Sequence, residues 1–118
     1  MSIQNVLASV AVKDLKTATE WYGRLLRRPP DSTPMAEVRE WKFARGGWLQ
    51  VYALAERAGG GSCTLAVDDI DEIIAHAKNL GIDTGSTASN PRVKTLMIVD
   101  PDGNHIAFAQ ALDDKMAR

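Results

Sequence analysis

The spacing of apolar residues predicts that the chain begins with a strand followed by a helix. Residues 6–12 are short, apolar and β-branched, which is typical of a strand. Asp14 follows at the position where a helix N-cap belongs. From Leu15 onward, apolar side chains recur every three or four residues, and the pair Pro29–Pro30 ends this pattern. We therefore expect an amphipathic helix that packs one face on a sheet.

The remainder of the first half is expected to form strands. Residues 29–40 contain three prolines and predict an irregular edge strand or a loop. Residues 41–43 and 48–54 flank Gly46–Gly47, and this arrangement predicts two paired strands joined by a turn. Three consecutive glycines at 59–61 then indicate a linker.

The same pattern recurs in the second half of the chain. Residues 62–67 predict a strand, Asp69 stands at the helix cap, and residues 70–80 carry a helical apolar stripe that ends at Gly81. The two Asp caps lie 55 residues apart (69 − 14 = 55). This offset indicates an internal duplication, because each half follows the order strand–helix–strand–strand–strand.

A hairpin is predicted at the end of the second half. Residues 93–99 and 105–112 are apolar runs, and the sequence Asp-Pro-Asp-Gly-Asn at 100–104 separates them. Pro101 presets φ for a turn, and Gly103 adopts positive φ without steric cost. We therefore expect a tight turn between two paired strands.

These elements predict an α+β domain that covers residues 1–118. We assign module one to residues 1–55, a linker to 56–61 and module two to 62–112. A chain of 118 residues is long enough to bury one core but short for two. Neither module has an obvious way to bury both faces of its sheet alone, so we expect modules to pair, within one chain or between chains.

Composition narrows the range of partners. The net charge of −1 gives no electrostatic reason to expect nucleic acid or a membrane surface as a partner. No apolar run approaches the roughly 20 residues that a membrane-spanning helix needs. The lone Cys63 excludes an internal disulfide, and we expect it to be a small buried side chain. These features, with no signal peptide evident near the N-terminus, favour a cytoplasmic protein.

Two motifs and the duplicated layout together resemble the vicinal oxygen chelate superfamily. The first motif is Asp14-Leu15-x-x-Ala18-x-x-Trp21-Tyr22-x-x-Leu25, and the second is Asp100-Pro101-Asp102-Gly103-Asn104-x-Ile106. The superfamily includes glyoxalase I, extradiol dioxygenases, fosfomycin-resistance transferases and bleomycin-resistance binding proteins. The resemblance implies curved mixed sheets that pair around a cleft, with helices on the outer faces. One departure is Arg27, which stands where a glycine is usual after the first helix.

The resemblance also implies four metal-ligand positions, which in metal-dependent members hold His, Glu or Gln. In this chain they fall on Leu7, Gln50, Ser62 and Ala107. A divalent cation needs imidazole nitrogens or carboxylate oxygens, and leucine and alanine offer no donor atom. We therefore expect no metal, no other cofactor and none of the metal chemistry of the superfamily. Leu7 and Ala107 are instead expected to form the apolar floor of a ligand-binding cleft.

The same strands carry candidates for a ligand site. Trp48, Gln50 and Tyr52 alternate onto one strand face, and Ser62 and Thr64 do so on the corresponding strand of module two. Aromatic walls with a few polar groups are typical of small-molecule pockets, although the two aromatics could instead fill a closed core or a dimer contact. Trp41 and Phe43 share a face, but the sequence does not say which.

His105 shares a strand face with Ala107, which places both beside the expected cleft. The histidine is either a polar anchor or general base for a ligand, or a solvent-exposed residue at a hairpin end. Since no acid–base pair is evident, we favour a metal-independent, bleomycin-resistance-like protein that binds an aromatic or amphipathic molecule between the modules. The alternatives are a glyoxalase-fold lyase, isomerase or dioxygenase-like enzyme with a non-standard site, or a structural module. We also expect a homodimer.

Overall fold

The computed structural model describes residues 2–118, in which two helices lie on one side of two four-stranded sheets. The first module contains β1 (Leu7–Val12), α1 (Leu15–Leu26), β2 (Ser32–Met35), β3 (Val38–Lys42) and β4 (Trp48–Ala53). The second contains β5 (Ser62–Ala66), α2 (Ile70–Asn79), β6 (Ser86–Ser89), β7 (Val93–Val99) and β8 (His105–Ala111). The prediction of an α+β fold with two βαβββ modules is therefore confirmed. Neither α1 nor α2 is long and apolar enough to cross a membrane.

Both sheets have the same strand order relative to their own module. The first runs β1-β4-β3-β2 and the second β5-β8-β7-β6. The first strand of each module pairs in parallel with the last, and the other neighbours are antiparallel. Strand β3 begins at Val38, three residues before the predicted strand, because Val38 pairs with Tyr52 of β4. Of the two alternatives for the proline-rich segment before it, an irregular edge strand or a loop, the structure shows the edge strand, β2.

Helix α1 starts and ends where the sequence predicts. The Asp14 carboxylate accepts hydrogen bonds from the backbone amides of Lys16 and Thr17. These bonds, above all the one from Thr17, lower the pKa of Asp14. At the other end Arg27 adopts φ 64°, the left-handed conformation that glycine usually supplies at this place. The departure at Arg27 therefore changes the residue without changing the turn.

A buried hydrogen-bonded group joins the two modules. The Asp100 carboxylate accepts bonds from the Tyr22 hydroxyl of α1 at 2.7 Å and from the Asn104 side-chain amide at 2.8 Å. That amide also donates to the carbonyl of Ala11 in β1 at 2.8 Å, and the Asn104 side-chain oxygen accepts from the Gly61 amide at 2.9 Å. Asp100 and Asn104 are almost fully buried. The turn of module two thereby contacts both the first strand and the first helix of module one.

Burial raises the pKa of the Tyr22 hydroxyl far above its ordinary value, and the negative charge of Asp100 adds to the effect. The hydroxyl therefore remains protonated and donates to Asp100 throughout the range in which proteins fold. This bond aligns α1 with the turn of module two, because the tyrosine is fully buried in the core between them.

The glycines between the modules pack closely against the same turn. Gly59 has φ 90°, and a Cβ at this position would collide with the carbonyl of Asp102. A Cβ at Gly61 would lie 3.1 Å from the Asn104 side-chain oxygen and 3.5 Å from Val10. Glycine is thus required here for close packing of two backbone segments as well as for its backbone freedom.

Replacing Asn104 with alanine should destabilise the protein by about 3 kcal/mol or more. The substitution leaves the Ala11 carbonyl and the Gly61 amide buried without partners, and each such group costs roughly 1–3 kcal/mol. Urea unfolding measures the change. Asn79→Ala, at an exposed position at the end of α2, is the matched control and should alter the free energy by less than about 0.5 kcal/mol. Equal effects of the two variants would contradict this role for Asn104.

Candidate functional site

Alternation along the strands turns one face of each sheet toward the helices and leaves the other uncovered. Val10 and Val12 of β1, with Leu49 and Val51 of β4, are buried in the core beneath the helices. Their neighbours along each strand therefore point to the opposite side. We call this opposite side the helix-free face, and it extends over both sheets.

The eight side chains proposed from the sequence as ligand-binding all lie on the helix-free face. Four are on the first sheet and four on the second: Leu7, Trp48, Gln50, Tyr52, Ser62, Thr64, His105 and Ala107. The strand register opposes six of them in three pairs, Leu7 with Trp48, Ser62 with His105 and Thr64 with Ala107. All eight are exposed or half-buried.

The structure does not bring the eight residues into one cluster. Gln50 lies on β4 and His105 lies on β8. Between them lie β1 and β5, which are the neighbouring edge strands of the two sheets. The two hydrogen-bonded spacings, β4 to β1 and β5 to β8, already amount to roughly 10 Å, and the gap between the sheets adds to this separation. Gln50 and His105 therefore face different parts of the surface.

The aromatic residues divide between the two faces. Trp48 and Tyr52 are half-buried on the helix-free face. Trp41 is fully buried on the opposite face, where its indole nitrogen donates to the carbonyl of Arg28 at 3.1 Å, and Phe43 packs against the same core. The orientation that the sequence left open is thus toward the helices. The wall of the helix-free face consists of Trp48 and Tyr52.

A row of three polar side chains crosses the helix-free face of the first sheet. The Ser9 hydroxyl donates to the side-chain oxygen of Gln50 at 2.7 Å, and the Gln50 amide nitrogen donates to the Glu40 carboxylate at 2.5 Å. We call Ser9, Gln50 and Glu40 the polar row. Only Gln50 was singled out from the sequence. Ser9 could have been found from alternation, because it lies two residues after Leu7. Glu40 could not, because its face depends on that of the neighbouring Trp41, which the sequence left open.

A depression of about 440 Å³ opens beside the polar row, at the junction of the modules. Ser9, Ala11 and Tyr52 line its sheet side. Glu56 and Arg57, from a short 3₁₀ helix at Ala55–Arg57, line the other side together with the glycines that lead into β5. This second wall was not predicted, because residues 56–61 indicate only a linker.

A larger depression, of about 540 Å³, lies on the outer side of α1 around Arg24, Arg27 and Arg28. Two of these arginines are already engaged, since Arg27 pairs with Glu72 and Arg28 pairs with Asp31. The third donates to a carbonyl of its own helix, that of Glu20. These side chains act as exposed helix-end residues, and the helix-free face is the better candidate site.

The positions that would hold a metal in the superfamily do not suit one. Leu7 and Ala107 lie on the helix-free face but end in methyl groups. Within residues 2–118, no three His, Cys, Asp or Glu side chains converge as a metal site would require. Glu40 is the carboxylate nearest to Gln50 in the register, but a single carboxylate with neutral amide and hydroxyl neighbours is a poor donor set for a catalytic cation.

His76 and Cys63 lie away from this surface. His76 projects from α2 and its Nε2 is 2.9 Å from the carbonyl of Arg24, so it bridges the ends of the two helices. Cys63 is half-buried and packs with Leu65 against the core. Burial, followed by the negative charge of Asp100, raises the pKa of the Cys63 thiol from 9.0 to about 11. The thiol is a packing group, as expected, rather than a nucleophile.

Two βαβββ modules, with helices on one side and an uncovered sheet face on the other, define a protein of the paired-module α+β class. Solved structures of this class resemble the chain over nearly its full length. A glyoxalase/bleomycin resistance protein from Catenulispora acidiphila DSM 44928 has a TM-score of 0.81 and 31% identity, over 91% of this chain and 97% of that one. The chain therefore belongs to the glyoxalase/bleomycin resistance protein family. This result confirms the resemblance to the vicinal oxygen chelate superfamily.

Two more distant structures share the fold. The antibiotic binding protein TnmS3 from Streptomyces sp. CB03234 gives a TM-score of 0.77 at 24% identity, over 94% of this chain and 98% of that one. A lactoylglutathione lyase from Agrobacterium tumefaciens gives a TM-score of 0.76 at 17% identity, over 93% of this chain and 95% of that one. No protein-family model and no curated protein matches the sequence. The fold is thus shared by a binding protein and an enzyme, so the site must decide between these two functions.

Cys63 should react with iodoacetamide about a hundredfold more slowly in the native protein than in the chain unfolded by guanidinium chloride. The two-unit rise in pKa, from 9.0 to about 11, lowers the thiolate fraction by that factor at about pH 8. Mass spectrometry of timed, quenched samples gives both rates. Because the pKa of the thiol is higher in the folded protein, its preference for the neutral form stabilises the fold below pH 9. This stabilisation is lost as the pH rises toward about 11. Equal labelling rates in the two states would contradict the burial of Cys63.

Proposed function

We propose that the protein binds a small aromatic or amphipathic molecule on the helix-free face, between the modules, and does so without a metal. The observation that carries the proposal is the combination of half-exposed Trp48 and Tyr52 with the polar row and an adjoining depression of about 440 Å³. Aromatic surface beside a few fixed hydrogen-bonding groups is typical of small-molecule sites.

The residues at the positions that hold metal ligands in metal-dependent relatives support the same function. Leu7 lies opposite Trp48, and Ala107 lies opposite Thr64. They supply apolar surface where metal-dependent relatives would place polar ligands, so the site favours a flat ligand that stacks on the aromatics. Ser62 and Thr64, exposed on β5, would bond the edges of the ligand. Similarity to a bleomycin resistance protein and to an antibiotic binding protein agrees with this proposal.

An enzymatic function has weaker support. The similarity to a lactoylglutathione lyase is at 17% identity and concerns the fold. The chain offers no donor atom at two of the four ligand positions, Leu7 and Ala107, so metal-assisted chemistry of the superfamily lacks its first requirement. His105 is exposed on β8 and no carboxylate pairs with it among the described residues 2–118. We therefore rank ligand binding first.

We further propose that two copies of the chain associate through the helix-free face. This face carries exposed apolar side chains at both ends, among them Leu7, Met35 and Val99, which are 43%, 56% and 51% exposed. A second copy would cover them and close the depression from above, since closed two-fold assembly is the usual way to bury such a face.

Replacing Trp48 with alanine should weaken ligand binding more than tenfold. Stacking on the indole contributes about 0.5–1.5 kcal/mol beyond the burial of apolar area. The substitution removes both contributions, and their sum exceeds the roughly 1.4 kcal/mol that corresponds to a factor of ten in affinity. The probes are 1-naphthylmethylamine, followed by its fluorescence, and bleomycin, followed by calorimetry.

The matched control for this substitution is Trp21→Phe, on the helix side of the sheets, which should leave both affinities unchanged. Cooperative urea unfolding of each variant checks that the probes are binding to a folded protein. Retention of full affinity by Trp48→Ala would contradict the assignment of Trp48 as the wall of the site.

Sedimentation velocity at micromolar concentration should show a dimer. Val99→Lys should shift the protein toward monomer, because it places a charge in the apolar contact at an exposed position that costs little to the fold. Lys94→Glu, on β7 but on the opposite face from Val99, is the control and should leave the dimer intact. A protein that remains monomeric at all concentrations would contradict this assembly.

A further inference from the structure

Glu40 is a carboxylate without a cationic partner. It is half-buried on the helix-free face of β3, and its single side-chain bond is the one from the Gln50 amide. The ion pairs among residues 2–118 all lie elsewhere, at Arg27–Glu72, Arg28–Asp31 and Arg118–Asp114. A partly desolvated carboxylate that faces a binding surface is stabilised when a cation binds beside it.

The polar row has a fixed direction that leaves acceptors at both ends. The Ser9 hydroxyl must donate to the Gln50 oxygen, since an amide oxygen only accepts. This contact turns the Gln50 nitrogen toward Glu40, and the reversed amide would place its oxygen against the carboxylate. The lone pairs of Ser9 Oγ remain at one end and the second oxygen of Glu40 at the other. The row therefore accepts hydrogen bonds from a ligand.

The aromatic wall beside the row already tolerates a positive charge. The Lys42 ammonium lies 5.7 Å from the centre of the Trp48 ring, which is the range of a cation–π contact. Lys42 is two residues from Glu40 on the same face of β3, yet it contacts the indole and does not pair with the carboxylate. Glu56 and Arg57 at the rim of the depression bring opposite charges that offset one another.

From these contacts we infer that the site selects aromatic ligands that carry a protonated amine, with Glu40 as the residue that determines this specificity. The inference rests on the proposed binding function and refines its ligand class. The ammonium group donates to Glu40, and its aromatic part stacks on Trp48. A neutral ligand of the same shape leaves the carboxylate partly desolvated without compensation, and an anionic one meets like charge.

The test compares two probes of the same shape by calorimetry: 1-naphthylmethylamine, which is protonated at neutral pH, and the neutral 1-naphthalenemethanol. In the unaltered protein the amine should bind at least tenfold more tightly than the alcohol. In Glu40→Gln the ratio should fall below about threefold, because the affinity for the amine falls while the affinity for the alcohol does not fall. Glu40→Ala should give the same low ratio, and urea unfolding checks that both variants are folded.

Glu20→Gln is the matched control, because it makes the same charge change on the exposed side of α1 and should keep the tenfold ratio. A ratio in Glu40→Gln equal to that of the unaltered protein overturns the inference. Equal binding of both probes to the unaltered protein, with Trp48→Ala weakening both, overturns the role of Glu40 and leaves the binding function standing. Failure of both probes to bind at millimolar concentration contradicts the inference and the proposed function together.

Discussion

The fold depends on one buried hydrogen-bonded group, the pair Asp100 and Asn104 in the turn of the second module. A carboxylate and an amide in the core would cost several kcal/mol if they were left without partners. Here each polar atom is satisfied, and three of the six side-chain hydrogen bonds reach the other module or the segment that joins the two, at Tyr22, Ala11 and Gly61. The hydrogen bonds have direction, so they fix the angle between the modules as well as their contact. Apolar packing alone would leave that angle less strongly determined.

The fixed angle has a consequence for function. It sets β1 beside β5 and so makes the uncovered faces of two small sheets continuous. The two halves of this surface differ in chemistry. The first carries aromatic and polar side chains, whereas strands β5 and β8 of the second present mainly small ones, Ser62, Thr64, Ala66, Ala107 and Ala109, with His105 at one end. The site proposed on this surface is therefore not symmetric, although the fold is duplicated.

Much of the fold could be predicted from the sequence because the signals were local. Asp14 and Asp69 cap helices through their own neighbouring amides, and Gly81 ends α2 with φ 75°. Amphipathic spacing then fixed which side of each helix is buried. The start of β3 at Val38 was missed because it is set by pairing with Tyr52, a contact between strands that local spacing does not reveal.

The site was predictable only in part. Gln50 and Trp48 follow from alternation within one strand, but the partners of Gln50 are determined by the register of three strands. Ser9 and Glu40 were therefore missed. The wall formed by Glu56 and Arg57 was missed as well, because it depends on how the glycines between the modules pack on the turn of the second module. The sequence could not orient Trp41 either, because its burial depends on the position of α1 over the sheet.

The central claim is that ligands bind on the helix-free face at Trp48, and the three tryptophan indole signals in a two-dimensional NMR spectrum test it most directly. During titration with 1-naphthylmethylamine the indole N–H of Trp48 should shift progressively and saturate. The indole N–H of Trp41, buried and bonded to the carbonyl of Arg28, and that of Trp21, on the helix side, should stay in place. A spectrum in which Trp21 moves while Trp48 does not would contradict the account, because the ligand would then lie on the helices.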